Sequence, residues 1–198
     1  RYDAPAGTEI HACQPIGLDK VLFMQNGTPP KLMVFNIKTN KMEMAHEMPY
    51  DTSKGVHGQF RRVRYTTQGT YLVPFMLMDK VIEYDKNFME IWSYDIKQPW
   101  AAMRLKNGNT LITDDSKGFA REVNSKGETV WEFTQSDVPN IRIFNIQELT
   151  RLDNGNTIIA NWCAGMKDTS KCRKTVQVLE VTTAKKVVWG RVSGNGTV

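Results

Sequence analysis

The sequence lacks the features that mark several large classes of protein. No run among its 198 residues approaches the roughly 20 apolar residues of a membrane-spanning helix, so we expect no membrane span. Neither a GxSxG nucleophile motif nor a phosphate-binding P-loop occurs. No Asp-rich loop has the spacing of a calcium site. The sequence therefore shows no evident catalytic motif and predicts no bound cofactor.

Cysteine is scarce, with Cys13, Cys163 and Cys172 as the three examples. The absence of CxxC spacing argues against zinc, and we predict no metal site. The short polar segment Ala164–Lys171 is predicted to be a loop that joins two strands, so Cys163 and Cys172 should lie close enough to bridge. A disulfide and two reduced thiols both remain open. A disulfide would suit a periplasmic or secreted protein. We expect Cys13 to be buried and alone.

Charge of one sign is not concentrated anywhere. The chain has 26 basic and 21 acidic residues, and the densest basic run is Arg61-Arg62-Val63-Arg64. Because no basic stripe alternates with aromatic residues, we expect no nucleic-acid partner. The chain does not begin with Met, so we expect a mature or truncated piece of a longer protein.

The sequence contains a repeated unit. Between Trp100 and Trp131 the sequence predicts four short antiparallel strands, because alternating apolar residues are separated by Gly-containing turns. The turn segment 104–110 of this unit, Arg-Leu-Lys-Asn-Gly-Asn-Thr, returns as Arg-Leu-Asp-Asn-Gly-Asn-Thr at residues 151–157. Asn-Gly supplies the positive φ angles that a tight hairpin needs. A four-stranded unit recurring at about 40–50 residues is typical of a β-propeller blade.

The predicted fold class is therefore all-β, a β-propeller of four-stranded antiparallel blades without convincing helices. The predicted blades span residues 9–48, 57–95, 100–133 and 145–192. Residues 1–5 are predicted to be the outer strand of a preceding blade. Since rings usually contain more than four blades, we expect this chain to be part of a ring of six to eight, with a compact ring of four or five as the alternative.

A tryptophan column supports the same alignment. Trp92, Trp131 and Trp189 each stand in a predicted fourth strand, at the same spacing after Asp85, Asn124 and Thr182. We expect all three to be largely buried. This spacing resembles the repeat of the pyrroloquinoline-quinone-like propellers, and the Leu-x-Asn-Gly-Asn-Thr turns resemble those of the arylsulfotransferase-like propellers. The first resemblance would imply a quinone and calcium, but no vicinal cysteine pair or ligand set accompanies it here.

Aligning the blades places four residues in one column at the start of the innermost strands: His11, Phe60, Trp100 and Gln147. Strand entries of successive blades converge on the mouth of the central channel, where propeller ligands commonly bind. His57, Gln59, Asn145 and Glu148 lie nearby in sequence. We predict that the polar members and Trp100 bind a ligand there. The alternative is that the histidines are hydrogen-bonded structural residues.

An arginine column follows further along the same strands, at Arg64, Arg104 and Arg151. Three guanidinium groups facing one channel would attract an anion such as sulfate, phosphate or a uronic acid. The alternative is a set of separate salt bridges between blades, with partners among Glu83, Glu122 and Glu180 on the third strands.

Two functions follow from these patterns. The first is a non-catalytic propeller outside the cytoplasm that binds a small polar ligand, a glycan or a protein. The second is an arylsulfotransferase-like or other carbohydrate-active enzyme. In the arylsulfotransferase-like version, the resemblance implies that a channel histidine attacks the sulfuryl group while arginines stabilise its oxygens. His11 and His57 are the candidates for that role.

Overall fold

The computed structural model describes residues 1–114, 118–163 and 167–192. The chain divides into two compact units, residues 1–102 and 103–198. The described residues form four separate four-stranded antiparallel sheets, each with its strands in sequence order. This is the arrangement of a propeller blade, and it confirms the predicted all-β fold. No helix in the described part of the chain is long and apolar enough to cross a membrane.

The first unit contains two complete sheets. The strands of the first sheet are β1 (Glu9–Ile16), β2 (Lys20–Asn26), β3 (Lys31–Asn36) and β4 (Lys41–Glu47). Those of the second are β5 (Arg64–Tyr65), β6 (Tyr71–Phe75), β7 (Lys80–Tyr84) and β8 (Glu90–Asp95).

The division between the units falls inside the first strand of the third sheet. The strands of this sheet are β9 (Pro99–Arg104), β10 (Thr110–Asp114), β11 (Phe119–Val123) and β12 (Thr129–Phe133). Those of the fourth are β13 (Asn145–Arg151), β14 (Thr157–Trp162), β15 (Val176–Val181) and β16 (Val187–Val192). The second sheet begins at Arg64, later in the chain than the predicted blade start at residue 57.

The repeated turns have the geometry that the sequence predicts. Gly108 and Gly155 adopt φ angles of +86° and +87°. In each turn the glycine N–H donates to the leucine carbonyl three residues earlier, Leu105 or Leu152, at 3.0 Å. Glycine populates this left-handed region without steric cost, so the same hairpin forms in both blades.

Each unit buries its own apolar core. Leu22, Leu32, Val73 and Phe75 belong to the core of the first unit, and the second unit packs Leu111, Phe133, Ile146, Leu149 and Leu179 among others. The tryptophan column does lie on equivalent fourth strands, since Trp92, Trp131 and Trp189 are in β8, β12 and β16. These side chains are only half-buried, not largely buried as predicted, because they belong to the outermost strand of each sheet.

The structure corrects the expectation that no helix forms. Residues Thr169–Arg173 form a short helix, α1, in the segment predicted to be a plain loop. Asp168 caps it, because its carboxylate accepts from the Ser170 backbone N–H at 3.0 Å. Single 3₁₀ turns occur at Val56–Gly58, Met76–Met78 and Gln135–Asp137. Residues 164–166 of the same segment lie outside the described residues.

Residues 1–5 do not form the predicted outer strand. They have no regular secondary structure. Tyr2 packs instead through its side chain, with its ring 5.2 Å from that of Phe23 and its hydroxyl donating to Gln25 Oε1 at 2.5 Å.

The cysteines are all free thiols. Burial and a hydrogen bond with the Cys172 side chain raise the pKa of Cys163 to about 11. Cys163 Sγ lies 3.8 Å from the Cys172 carbonyl oxygen, and a bridge between the two sulfurs stays a prediction. The prediction for Cys13 is wrong, because Cys13 is exposed. A β-bulge between Ile10 and Cys13 shifts the alternation of β1 by one residue and places Cys13 on the open face.

Thiol alkylation should therefore distinguish the cysteines. With iodoacetamide at pH 8, we expect Cys13 to be modified well before Cys163. Cys13 is accessible, whereas the raised pKa and the burial of Cys163 keep its sulfur protonated and shielded. Peptide mass spectrometry over a time course measures the order. Modification of Cys163 at the same rate as Cys13 in the folded protein would contradict it, and a urea-unfolded sample gives the reference rate for each thiol.

Candidate functional site

The linker between the first two sheets is fixed to the β2–β3 turn by buried hydrogen bonds. The Asn26 side-chain amide donates to the carbonyls of Val56 and Phe60, both at 3.2 Å. Gln59 and Gly27 exchange two bonds of 2.9 Å between the side-chain amide and the backbone. Asn26 and Gln59 are buried. These contacts fix the position of the short turn that carries His57, beside the start of β1.

Glu9, His11 and His57 meet at this edge of the first unit, and we call them the Glu9 cluster. Glu9 Oε2 lies 2.9 Å from His11 Nε2 and 2.8 Å from His57 Nδ1. The imidazole centroids are 5.2 Å apart, with an angle of 76° between the planes. Glu9 is 41% exposed and the His57 side chain 75% exposed. One carboxylate therefore binds two imidazoles at a surface open to solvent.

The charges of the Glu9 cluster follow from its surroundings. The hydrogen bond from His57 lowers the pKa of Glu9 most, so this carboxylate is ionised at neutral pH. Burial lowers the pKa of His11, and the positive charge of Arg61 lowers it further against the opposing effect of Glu9. His11 is therefore neutral at pH 7 and can present a nitrogen lone pair.

Arg61 contacts both the backbone of His57, in the Glu9 cluster, and the ring of Trp100. Its guanidinium lies over the Trp100 ring at 4.8 Å. It also donates through Nη1 to the carbonyl of His57 and to that of Phe60 at 3.1 Å. Trp100 is only 8% exposed, and Arg61 covers one face of its ring. Phe60, the apolar member of the predicted column, is part of the core.

A β-bulge recurs at two positions of the predicted column. In β1 the one extra residue falls between Ile10 and Cys13, a stretch that includes His11. In β13 the shift falls between Ile146 and Glu148, at Gln147. Bulges redirect side chains and are frequent beside functional sites. Thus His11 and Gln147 each lie at a bulge in the first strand of their own sheet.

The structure also describes the surroundings of Asn145, Arg64 and Arg104, which were predicted to bind a ligand. Asn145 pairs across the sheet with Trp162, a half-exposed side chain. Arg64 lies half-buried in β5, and Arg104 donates to the Gly108 carbonyl at 2.9 Å. Whether Asn145, Gln147 and the arginines face the same channel mouth as the Glu9 cluster stays a prediction.

Arg151 is engaged by its neighbours. Its Nη2 donates to Glu122 Oε2 at 2.8 Å, and its guanidinium lies 5.2 Å from the Trp131 ring centroid. Both partners belong to the preceding sheet, so this contact is the interblade salt bridge that the sequence left as the alternative. Glu122 also accepts from the Asn109 side chain at 2.7 Å.

The sequence reasoning missed two contributors to the site, Glu9 and Arg61. Glu9 stands two residues before His11, a spacing that puts both on one face of a strand and could have indicated it. Arg61 belongs to the basic run 61–64, but nothing in that run distinguishes it from Arg62 or Arg64. A cleft lined in part by Gln59 and Phe60 has a volume of about 10 Å³, far below the roughly 300 Å³ at which ligand pockets begin. The open surface at the Glu9 cluster is therefore the better place for a ligand.

Comparison with known proteins gives the fold. No protein-family model and no curated protein matches the chain. A Bacteroides caccae protein of unknown function is 25% identical with a TM-score of 0.81, over 96% of this chain and 69% of that one. A catalytically inactive virginiamycin B lyase from Staphylococcus aureus, solved with quinupristin, is 12% identical with a TM-score of 0.64, over 92% and 55%. The extracellular domain of a putative hybrid two-component system from B. thetaiotaomicron is 12% identical with a TM-score of 0.59, over 93% and 23%. This chain thus spans about half of the lyase and under a quarter of the two-component domain, and the likeness supports a β-propeller.

Proposed function

We propose that this chain is a non-catalytic binding propeller that holds a small polar ligand or a glycan, with anionic groups favoured. The observation that carries the proposal is the convergence of Glu9, His11 and His57 at one edge of the first unit. The imidazoles offer hydrogen-bond donors, and the exposed face of His57 offers an aromatic surface for a sugar ring. A protein partner at the same surface is the alternative.

The other polar residues of the column extend the proposal. Gln147 occupies a bulge like that of His11 and is assigned to ligand contact, together with its neighbour Asn145. Arg64 and Arg104 are assigned to attraction of an anion. Arg151 is assigned a structural role, because its guanidinium is held by Glu122 and Trp131.

A location outside the cytoplasm is part of the proposal. One structural neighbour is the extracellular domain of a putative two-component system. The closeness of the Cys163 and Cys172 side chains also supports it, because an oxidising compartment would allow them to bridge.

Ligand binding can be measured with a small set of anions. Isothermal titration of EDTA-treated protein with glucuronate, inorganic sulfate and inorganic phosphate should show binding of at least one. We expect His57→Ala and Glu9→Gln to weaken it about 10-fold or more, because each removes a hydrogen-bonding group or its orienting partner.

Lys38→Ala is the control for this titration. Lys38 lies in the β3–β4 turn, at the opposite end of the first sheet from the β2–β3 turn, so its removal should leave affinity unchanged. Equal affinity in His57→Ala, Glu9→Gln and the parent protein would contradict the assignment of the ligand to the Glu9 cluster.

An enzyme is the second candidate, because Glu9 accepts from His57 Nδ1 at 2.8 Å. A carboxylate in this position orients an imidazole whose Nε2 can then take a proton or attack an electrophile. Turnover of an aryl sulfate donor by the parent protein, absent in His57→Ala, would favour this function over simple binding.

A further inference from the structure

We propose that Glu9, His11 and His57 form a three-ligand site for Zn²⁺ in the first unit. One carboxylate oxygen and two imidazole nitrogens lie within 4.8 Å of one another. This goes beyond the proposed function, and it requires no organic ligand. The cluster contains no cysteine, so the cysteine spacing of the sequence does not predict it.

The donor set selects the metal class. Two imidazoles and one glutamate are a ligand set of zinc sites that keep a position open for water or substrate. Calcium and magnesium take oxygen ligands, and the two nitrogen donors of this cluster disfavour them. Thiolate-preferring metals find no sulfur among the three groups.

The distances fit a zinc ion after a small adjustment. Zn–N and Zn–O bonds of about 2.0–2.1 Å in a tetrahedron place ligand atoms about 3.3 Å apart. The Glu9 oxygen is now 2.9 Å from His11 Nε2 and 2.8 Å from His57 Nδ1. Each of these two pairs must therefore separate by about 0.5 Å, and the two imidazole nitrogens, which lie within 4.8 Å of each other, must come to about 3.3 Å. The His57 side chain, which is largely exposed, can rotate to supply this change.

The backbone that carries the ligands is already ordered. Glu9 and His11 are on β1, and the bulge after Ile10 sets the direction of His11. The turn with His57 is fixed through Asn26 and Gln59 to the β2–β3 turn. Binding of a metal ion would therefore restrict side-chain rotation more than backbone motion. Because the backbone is already ordered, the loss of conformational entropy on binding is smaller.

The net positive charge of a zinc-loaded site would attract an anion. One carboxylate and two neutral imidazoles reduce the charge of Zn²⁺ to about +1, and Arg61 adds a further positive charge nearby. Three protein ligands leave the fourth tetrahedral position to solvent, or to an anionic group. A bound zinc ion would thus favour the anionic ligands of the proposed function.

Zinc binding is tested on tag-free protein first treated with EDTA and then freed of it. Isothermal titration with ZnCl₂, without any organic ligand, should give one Zn²⁺ per chain. His57→Ala and Glu9→Gln should each weaken the affinity about 100-fold or more, since loss of outer-shell partners alone costs about 10–100-fold. Co²⁺ should give an intense visible spectrum of low coordination number in the parent protein and lose it in both variants.

His46→Phe is the matched control, because His46 is the remaining histidine of the chain and stacks on Phe88 at 3.5 Å. Phenylalanine keeps that stacking and removes the imidazole, so zinc affinity should not change. Circular dichroism establishes that each variant is folded. Absence of zinc binding, equal binding in His57→Ala, loss in His46→Phe, or one zinc per two chains with dimer formation would overturn the site. If the protein binds zinc but no anion, the zinc site stands and the proposed function is wrong. If the zinc-free protein binds an anion but the protein does not bind zinc, the proposed function stands and the zinc site is wrong.

Discussion

Replacing Gly118 with alanine should destabilise the second unit by about 3 kcal/mol or more. Gly118 has a φ angle of +64°, and a Cβ there would lie 2.4 Å from the carbonyl oxygen of Phe144. That carbonyl cannot move away cheaply. The buried Asn161 side chain accepts from the Phe144 N–H and donates to the Arg142 and Val176 carbonyls, all at 2.8 Å.

Gly108→Ala separates the clash from the backbone conformation. Gly108 has a φ angle of +86°, but a Cβ added there would meet no atom within 4 Å. This variant should therefore lose only the left-handed penalty of about 1–2 kcal/mol. Urea unfolding followed by tryptophan fluorescence gives both values. Equal losses in the two variants would show that the Phe144 backbone yields, contrary to the role given to Asn161.

Replacing Arg151 with methionine should cost about 3 kcal/mol of unfolding free energy. Glu122 would be left as a buried carboxylate without its cation, although the Asn109 side chain would still donate to it. Glu122→Gln should cost a similar amount, because it leaves a largely buried guanidinium unpaired. The double variant should lose less than the sum of the two single losses, since no uncompensated charge remains. Additive losses would contradict the coupling.

Lys106→Met is the control for the buried pair. Lys106 Nζ lies 2.6 Å from Asp153 Oδ1, but both side chains are almost fully exposed. Solvent screening leaves such surface pairs with little effect on stability. The urea midpoint of Lys106→Met should match that of the parent protein, at low and at high salt. A loss of unfolding free energy comparable to that of Arg151→Met would mean that contact distance, and not burial, determines how much an ion pair stabilises the protein.

The sheets could be predicted from the sequence because each depends on neighbours along the chain. The Asn-Gly turn at Gly108 recurs at Gly155 with almost the same φ angle. Trp92, Trp131 and Trp189 stand on equivalent strands. Hairpins need only a turn with the right φ angles and flanking alternation, and both are visible in a short window.

The start of the second sheet was harder to predict. The column placed Phe60 at the beginning of an innermost strand, but β5 contains only Arg64 and Tyr65. Phe60 makes a single bridge to Phe75 and enters the core. The exposure of Cys13 was missed for a related reason. A bulge reverses the alternation of a strand, and neither effect has a mark in the local sequence.

The sequence by itself determined the local structure of this protein: four antiparallel sheets, their turns and the strands that carry tryptophan. Hydrogen-bonded hairpins and alternating burial act between residues close in the chain, so they can be inferred from order alone. Only the tertiary structure decided that Glu9 binds His57, a residue 48 positions away. That contact depends on the docking of the 56–60 linker through Asn26 and Gln59. Such long-range packing joins segments whose proximity no spacing in the sequence encodes, and it creates the site proposed for zinc.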